Sequence, residues 1–280
     1  MLIAAAIVPG PPAFVAELMG AAAHELDDLR HAADSVVSRA VSDCVAASSD
    51  SFLSGAGSAQ VVIVGPGQPE EFNAVGPVSF ASFGRDVRIP ALVGDDHADH
   101  GDHADNADNA DHGDHGDIDD GQLPTPLMVA RYLASRDIAA HPEHADLWAS
   151  ARWVTTSGDD ATTLGEQLRE NGTRVALILV ADGAICHGPK APRAEDSRAP
   201  AYEDAVCAAL ASGQPDQLAQ IDADLGRELG ATGPDLWPVL LAAAHGDWIG
   251  ELVWRGAPYG VGWVVAAWRR PAPSTSVARA

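Results

Sequence analysis

The densest group of chemically capable side chains is Asp95–Asp117, DDHADHGDHADNADNADHGDHGD, in which Asp recurs every third residue from Asp96 to Asp117. His97, His100, His103, His112 and His115 keep the same register. Imidazole and carboxylate together ligate zinc, nickel, copper and cobalt, so weak multivalent binding of zinc, nickel or cobalt is the chemistry this stretch offers. A three-residue polar repeat fixes no single coordination geometry, so a catalytic centre is not expected there. Nor can it bury a core, and it reads as a disordered insertion. The plainer account is triplet expansion in a tolerant surface loop, with metal binding incidental.

Outside that stretch the reactive residue types fall in polar turns. Ala181-Asp182-Gly183 leads into Cys186-His187. Asp182 would either hold a ligand or satisfy the N–H groups of its own turn. His187, near Cys186 and Lys190, offers a metal pair or a reactive thiol, but an ordinary loop histidine is the simpler reading. His24 and His31 lie seven apart among Glu25, Asp27 and Asp28, the pattern of a solvated helix face. His141 and His144, in HPEH, read as a polar turn, and His245 and Asp247 as a cap or loop contact. No serine lies in a G-x-S-x-G elbow, so the sequence gives no sign of hydrolase chemistry. Gly65-Pro-Gly-Gln-Pro lacks the lysine and spacing of a phosphate loop.

These turns need elements to hold them. Leu2–Val8 is an apolar run stopped by Pro-Gly-Pro-Pro, and Gln60–Val64 a second, ended by Gly-Pro-Gly; both read as buried strands. Phe14–Val41 has helical spacing and should form one long helix or two short ones. Ser79–Ile89 suggests an exposed strand pair. Thr125 is placed to cap a helix over Pro126–Arg136. Leu147–Thr156 leans to β, and Asp159 or Asp160 should cap a helix ending at Asn171-Gly172. Thr173–Val180 (TRVALILV) is the clearest central strand. Helices follow over Ala199–Ser212, Pro215–Leu229 and Pro234–Ala244, then strands at Leu252–Trp254 and Gly260–Trp268. The alternation predicts an α/β fold: a mixed, mainly parallel central sheet covered by helices on both faces. Sites in such sheets form where strands end, which singles out the loops Pro9–Pro12, Gly65–Gln68 and Ala181–Pro192.

With 280 residues the chain suits one domain over 1–270, interrupted by the low-complexity loop 94–121 and followed by a disordered tail at 271–280. The net charge of −23, of which eleven Asp and no Lys or Arg fall within Gly94–Gly121, excludes nucleic acid and anionic membrane as partners. Three cysteines with no CxxC pair argue against a disulfide framework and for a reducing compartment. MLIAAAIVPGPPAF has no basic leader region and is too short to span a bilayer, so a cytoplasmic protein is expected. Of seven Trp, five lie between Trp237 and Trp268; Trp263 and Trp268 are candidates to anchor a homo-oligomer.

Four segments taken together resemble one family. Ala6–Leu18 (AIVPGPPAFVAEL), Val61–Gln68 (VVIVGPGQ), Leu179–Leu210 (LVADGAICHGPKAPRAEDSRAPAYEDAVCAAL) and Ala257–Trp268 (APYGVGWVVAAW) are similar to the class III extradiol ring-cleavage dioxygenase family, which includes the Memo-like proteins. The resemblance implies a non-haem Fe(II) held by two His and one carboxylate, with a further loop His as acid/base catalyst. Its first His position is Gly10 here, its second Gln68, and its catalytic loop position Ile185, with His187 two residues beyond. Asp247 and Glu251 are candidates for the carboxylate. Glycine offers no ligand and an amide is a poor one for iron. The expected function is therefore a non-catalytic dioxygenase-like protein that binds a small molecule or a partner in a vestigial pocket of Gly10, Gln68 and Ile185. One alternative is an aromatic-diol-cleaving oxidoreductase with a rebuilt Fe(II) site using His187 and a carboxylate the sequence does not place, His187 and Asp182 being its catalytic candidates. The other is a divalent-metal buffer working through the Asp/His tract.

Overall fold

A computed structural model describes residues 1–49, 58–92 and 123–271. The Asp/His tract, with His97, His100, His103, His112 and His115, lies outside the described residues, as do 272–280 and what was expected of them.

The strands are β1 (Leu2–Val8), β2 (Ala59–Pro66), β3 (Glu70–Phe72), β4 (Val78–Ser79), β5 (Arg88–Ile89), β6 (Arg152–Thr156), β7 (Arg174–Val180), β8 (Ile249–Gly256) and β9 (Trp263–Arg269). The α-helices are α1 (Ala16–Met19), α2 (Asp27–Ser49), α3 (Thr125–Ala140), α4 (Ala145–Ala149), α5 (Gly158–Glu170), α6 (Ala199–Ser212), α7 (Pro215–Ala219), α8 (Ala223–Glu228) and α9 (Gly233–Ala243). Seven strands form one sheet in the order β3-β6-β2-β7-β1-β9-β8, and β4 and β5 pair as a separate antiparallel ladder. β6, β2, β7 and β1 run parallel; β3 and β9 are antiparallel to their neighbours. The expected mixed, mainly parallel α/β sheet is what the chain forms.

Side-chain alternation divides the core between the two faces. Ala6 and Val8, Val61 and Ile63, and Ile178 and Val180 point to one side, where α2 and α3 cover them. Ala5 and Ile7, Val62 and Val64, and Leu177 and Leu179 point to the other, under α5, α6 and α9. Every residue of β1 and β7 is buried, the double burial that makes a central parallel strand read as continuously apolar. Each fully buried Val, Leu or Ile contributes about 1.5–3 kcal/mol. Trp263 and Trp268, at 2% and 0% exposure, belong to this core, so they are not available as oligomer anchors; Trp268 Nε1 donates to Leu210 O at 2.7 Å.

Several local expectations are corrected. The one long or two short helices expected over Phe14–Val41 are instead the four-residue α1 and a long α2 that begins only at Asp27, separated where Gly20 adopts φ +56° and Gly20–Leu26 winds as a 3₁₀ helix. Thr125 is the first residue of α3 rather than its cap, a place taken by Pro124. Asp159 and Asp160 sit inside the first turn of α5, where their charge complements the helix dipole, and Ser157 holds the cap position. Leu147–Thr156 is half helical, since α4 precedes β6. Pro215–Leu229 divides into α7 and α8, with Asp222 Oδ1 accepting from Leu225 N–H at 2.9 Å to start the second.

Candidate functional site

Because β1, β2 and β7 are adjacent and parallel, the loops that follow them leave the same edge of the sheet. β9 runs the other way and β8 ends opposite its start, since Gly256 pairs with Trp263. Residues 182–187, 255–257, 260–263 and the first turns of α6 therefore meet around one point. The backbone ties them together: Gly183 N–H donates to Gly262 O at 2.7 Å, Gly262 N–H to Ala184 O at 2.7 Å, and His187 N–H to Gly260 O at 3.0 Å.

Glu203 is at the centre of this cluster, 7% exposed, on the buried face of α6 with Ala199, Tyr202, Val206 and Leu210. Its Oε1 accepts from Ala184 N–H at 2.6 Å and lies 3.8 Å from His187 Nε2, close enough to attract a protonated imidazole but beyond hydrogen-bond reach. Two glycines make room for it. A Cβ on Gly183 would run into the Glu203 carboxyl, and one on Gly262 would lie 2.5 Å from its Oε1. Burial raises the Glu203 pKa against the lowering effects of the Ala184 N–H and His187.

Asp182 is the second carboxylate. Its Oδ1 accepts from Gly10 N–H at 3.1 Å, and its backbone N–H donates to Thr232 Oγ1 at 2.8 Å. Burial pushes its pKa up to about 6, with the Gly10 N–H pulling it down and the nearby Glu203 charge adding to the rise. Two carboxyl groups in one apolar wall are thus both held toward their neutral forms.

A cavity of about 130 Å³ opens beside Glu203, lined also by His187, Cys207, Arg255 and Trp263. It has room for several waters or one small ligand, since a single water needs roughly 10–15 Å³. Arg255 is held at its rim by Asp204 at 2.5 Å. On the other side, Glu203 and Asp182 share a void of about 10 Å³ with Tyr202 and Trp237, too small for a ligand. His187 Nε2, Trp263 Nε1, Tyr202 Oη and Trp237 Nε1 are buried around these spaces and make no hydrogen bond among the described residues. Buried polar atoms left in that condition are rare enough to call for a ligand or ordered water. A carboxyl, an imidazole and an indole N–H around one small space can bind a hydroxyl or carbonyl compound and move a proton to or from it.

The residues singled out in the sequence are brought together only in part. Asp182 meets Gly10 directly, and His187 turns inward toward Glu203, which stands between it and Asp182. Ile185 packs against the turn at Gly230, where a Cβ would lie 2.6 Å from its Cγ1, and does not line the cavity. Gln68 is exposed, its carbonyl accepting from Thr155 Oγ1 at 2.5 Å on β6. Asp247 and Glu251 are at the far edge of the sheet, because Ile249 pairs with Arg269 and Ala4 pairs with Arg269 in turn; Glu251 binds Arg39 at 2.9 Å. Neither is a ligand for a site at Asp182.

The residues present do not fit the iron centre that the resemblance implies. A Cβ on Gly10 would lie 2.8 Å from Val180 Cγ1 and 3.2 Å from Pro126 Cβ, and the second position, Gln68, is exposed. Pro126, in the first turn of α3, and Val180 fill the space beside Gly10 that a histidine there would need.

Sequence pattern alone did not single out Glu203. The available signal was one carboxylate in the apolar i, i+3, i+7 stripe Ala199–Tyr202–Val206 continued by Leu210, a face where an unpaired charge is costly.

No protein-family model matches the chain, and no curated protein matches it. Among solved structures it is similar to the crystal structure of uncharacterized protein JW3007 from Escherichia coli K12, at 13% identity over 96% of this chain and 100% of that one, with a TM-score of 0.38.

Proposed function

We propose that this protein is a relative of the class III extradiol dioxygenases that has given up their iron site, does not catalyse ring cleavage, and binds a small polar molecule in the cavity beside Glu203 and His187. The observation that carries the reading is the packing at Gly10, where Val180 and Pro126 occupy the volume a ligand side chain would need. Glu203, His187 and Trp263 give that cavity an acceptor, a titratable ring and a donor, a set suited to a compact hydroxyl or carbonyl compound. A cytoplasmic location belongs to the same proposal: Cys44, Cys186 and Cys207 are all buried and none is in a disulfide, as a reducing compartment favours. No helix among the described residues is long and apolar enough to cross a membrane.

Elemental analysis of the untagged full chain, and of a version lacking 94–121, tests the proposal. The expected result is no tightly held iron or manganese in either. One such ion per chain in both would overturn it and favour the ring-cleaving alternative. Several zinc or nickel ions held only by the full chain would assign metal buffering to the tract and leave the cavity reading intact.

A further inference from the structure

A second constellation lies away from that edge, where α2, α3 and the turn Pro142–His144 meet. His144, placed by its HPEH context on a polar surface turn, is 2% exposed. Its Nδ1 is 2.8 Å from Asp137 Oδ2, which also accepts from Trp148 Nε1 at 2.7 Å. Asp137 is itself 5% exposed. Indole N–H can only donate, so this carboxylate oxygen is an acceptor twice over, and the imidazole proton belongs on Nδ1. The lone pair is then on Nε2, which faces the exposed Ser42 Oγ at 3.2 Å. Nucleophile, base and orienting carboxylate stand in the serial arrangement that activates a serine hydroxyl, recognised by geometry rather than by order in the chain.

An open groove of about 500 Å³ lies one turn back along α2, lined by Asp34, Ser35, Ser38, Arg136, Asp137 and His141; it shares Asp137 with this group, while Ser42 and His144 stand beyond its lining. The His141 ring stacks on His144 at 5.0 Å between centroids. Asp34 and Arg136 neutralise one another through contacts of 2.9 and 2.5 Å, so the groove presents no net charge to a substrate from that pair.

The geometry points to Ser42 as a nucleophile, activated by His144 and Asp137, that takes the acyl group of small uncharged carboxylic esters reaching it from the α2–α3 groove one helical turn away. Ser42 Oγ forms a bond to the ester carbonyl carbon while its proton passes to His144 Nε2. The bond to the alkoxy oxygen breaks, and the alcohol leaves with that proton. Water then repeats the route, releasing the acid and restoring the serine. The inference is independent of the cavity at Glu203.

The test incubates the full chain with 4-nitrophenyl acetate and maps acetylation by peptide mass spectrometry at early times. Ser42 should acetylate about a hundredfold faster than Ser35 and Ser38 on the same helix, the usual scale of general-base assistance. Ser42→Ala, an exposed substitution, should remove that adduct and leave the others. His144→Gln and Asp137→Asn should bring the Ser42 to Ser35 ratio near one in chains whose circular dichroism is unchanged. A ratio near one in the unsubstituted chain overturns the inference, whatever the variants do. So does a high ratio that survives both substitutions in folded protein.

Discussion

At the scale of single residues, the informative groups are carboxylates kept in apolar walls. Asp182 has its pKa raised from 3.8 to about 6, so the unfolded chain ionises it first as pH rises. The native state, still protonated there, binds more protons than the unfolded state between about pH 4 and 6, and stability must fall across that window. The stabilisation is complete below pH 4 and gone above 6. Asp182→Asn keeps an acceptor for Gly10 N–H and cannot ionise. It should gain about 1–2 kcal/mol at pH 7 over the parent and flatten this part of the pH–stability curve, read by urea denaturation at pH 4, 5, 6 and 7. Gly10→His, which restores the residue type of an iron ligand, should instead cost about 1–3 kcal/mol, because its Cβ meets Val180 and Pro126. A variant as stable as the parent that also captured iron would contradict that account. Asp182 and His187 were legible in the sequence because both follow the chain's clearest strand. Glu203 was not, since its place against Gly183 and Gly262 depends on residues tens of positions away.

At the scale of elements, α5 and α9 approach one another closely. A Cβ on Gly165 would lie 2.5 Å from Val239 O and 2.7 Å from Ala242 Cβ, so the helices touch backbone to backbone there. Gly165→Ala usually stabilises an exposed helix position; here it should destabilise by about 1–3 kcal/mol and lower the denaturation midpoint. A stabilised variant would mean that the helices can separate without cost. A second contact joins the small β4–β5 ladder to the body. Arg131, fully buried on α3, donates through Nη2 to Gly76 O at 3.0 Å and Pro90 O at 2.8 Å, and burial lowers its pKa to about 10. Arg131→Met retains much of the packing volume but leaves those carbonyls without their donor. Amide hydrogen exchange should then accelerate in residues 76–90 well before the central sheet is affected. Strand existence and order of elements could be read from apolar runs and their Gly-Pro stops. Helix limits could not: Gly20, Pro124 and Ser157 set them through backbone geometry that side-chain pattern only partly reports.

At the scale of the whole molecule, charge is the dominant feature. Removing residues 94–121 takes eleven Asp from a net charge of −23 and leaves −12. The shortened chain should elute earlier from an anion exchanger, and its thermal midpoint should rise less steeply with salt, because there is less self-repulsion to screen. An equal salt slope in both forms would show that the tract's charge does not act on folding. The sequence by itself determined the class of fold: runs such as Leu2–Val8 and the VALILV of Thr173–Val180, apolar on both faces, have no stable place except the middle of a parallel sheet covered by helices. It also determined which edge is polar, since strand ends carry the loops. Only the tertiary structure decided what those loops and helices bring together: Glu203 with Asp182 and His187, and Ser42 with His144 and Asp137. Such groupings join residues up to 102 positions apart, and local periodicity carries no term for that separation. It decided as well that Pro126 fills the space beside Gly10, because steric exclusion is a property of packed volumes and not of residue order.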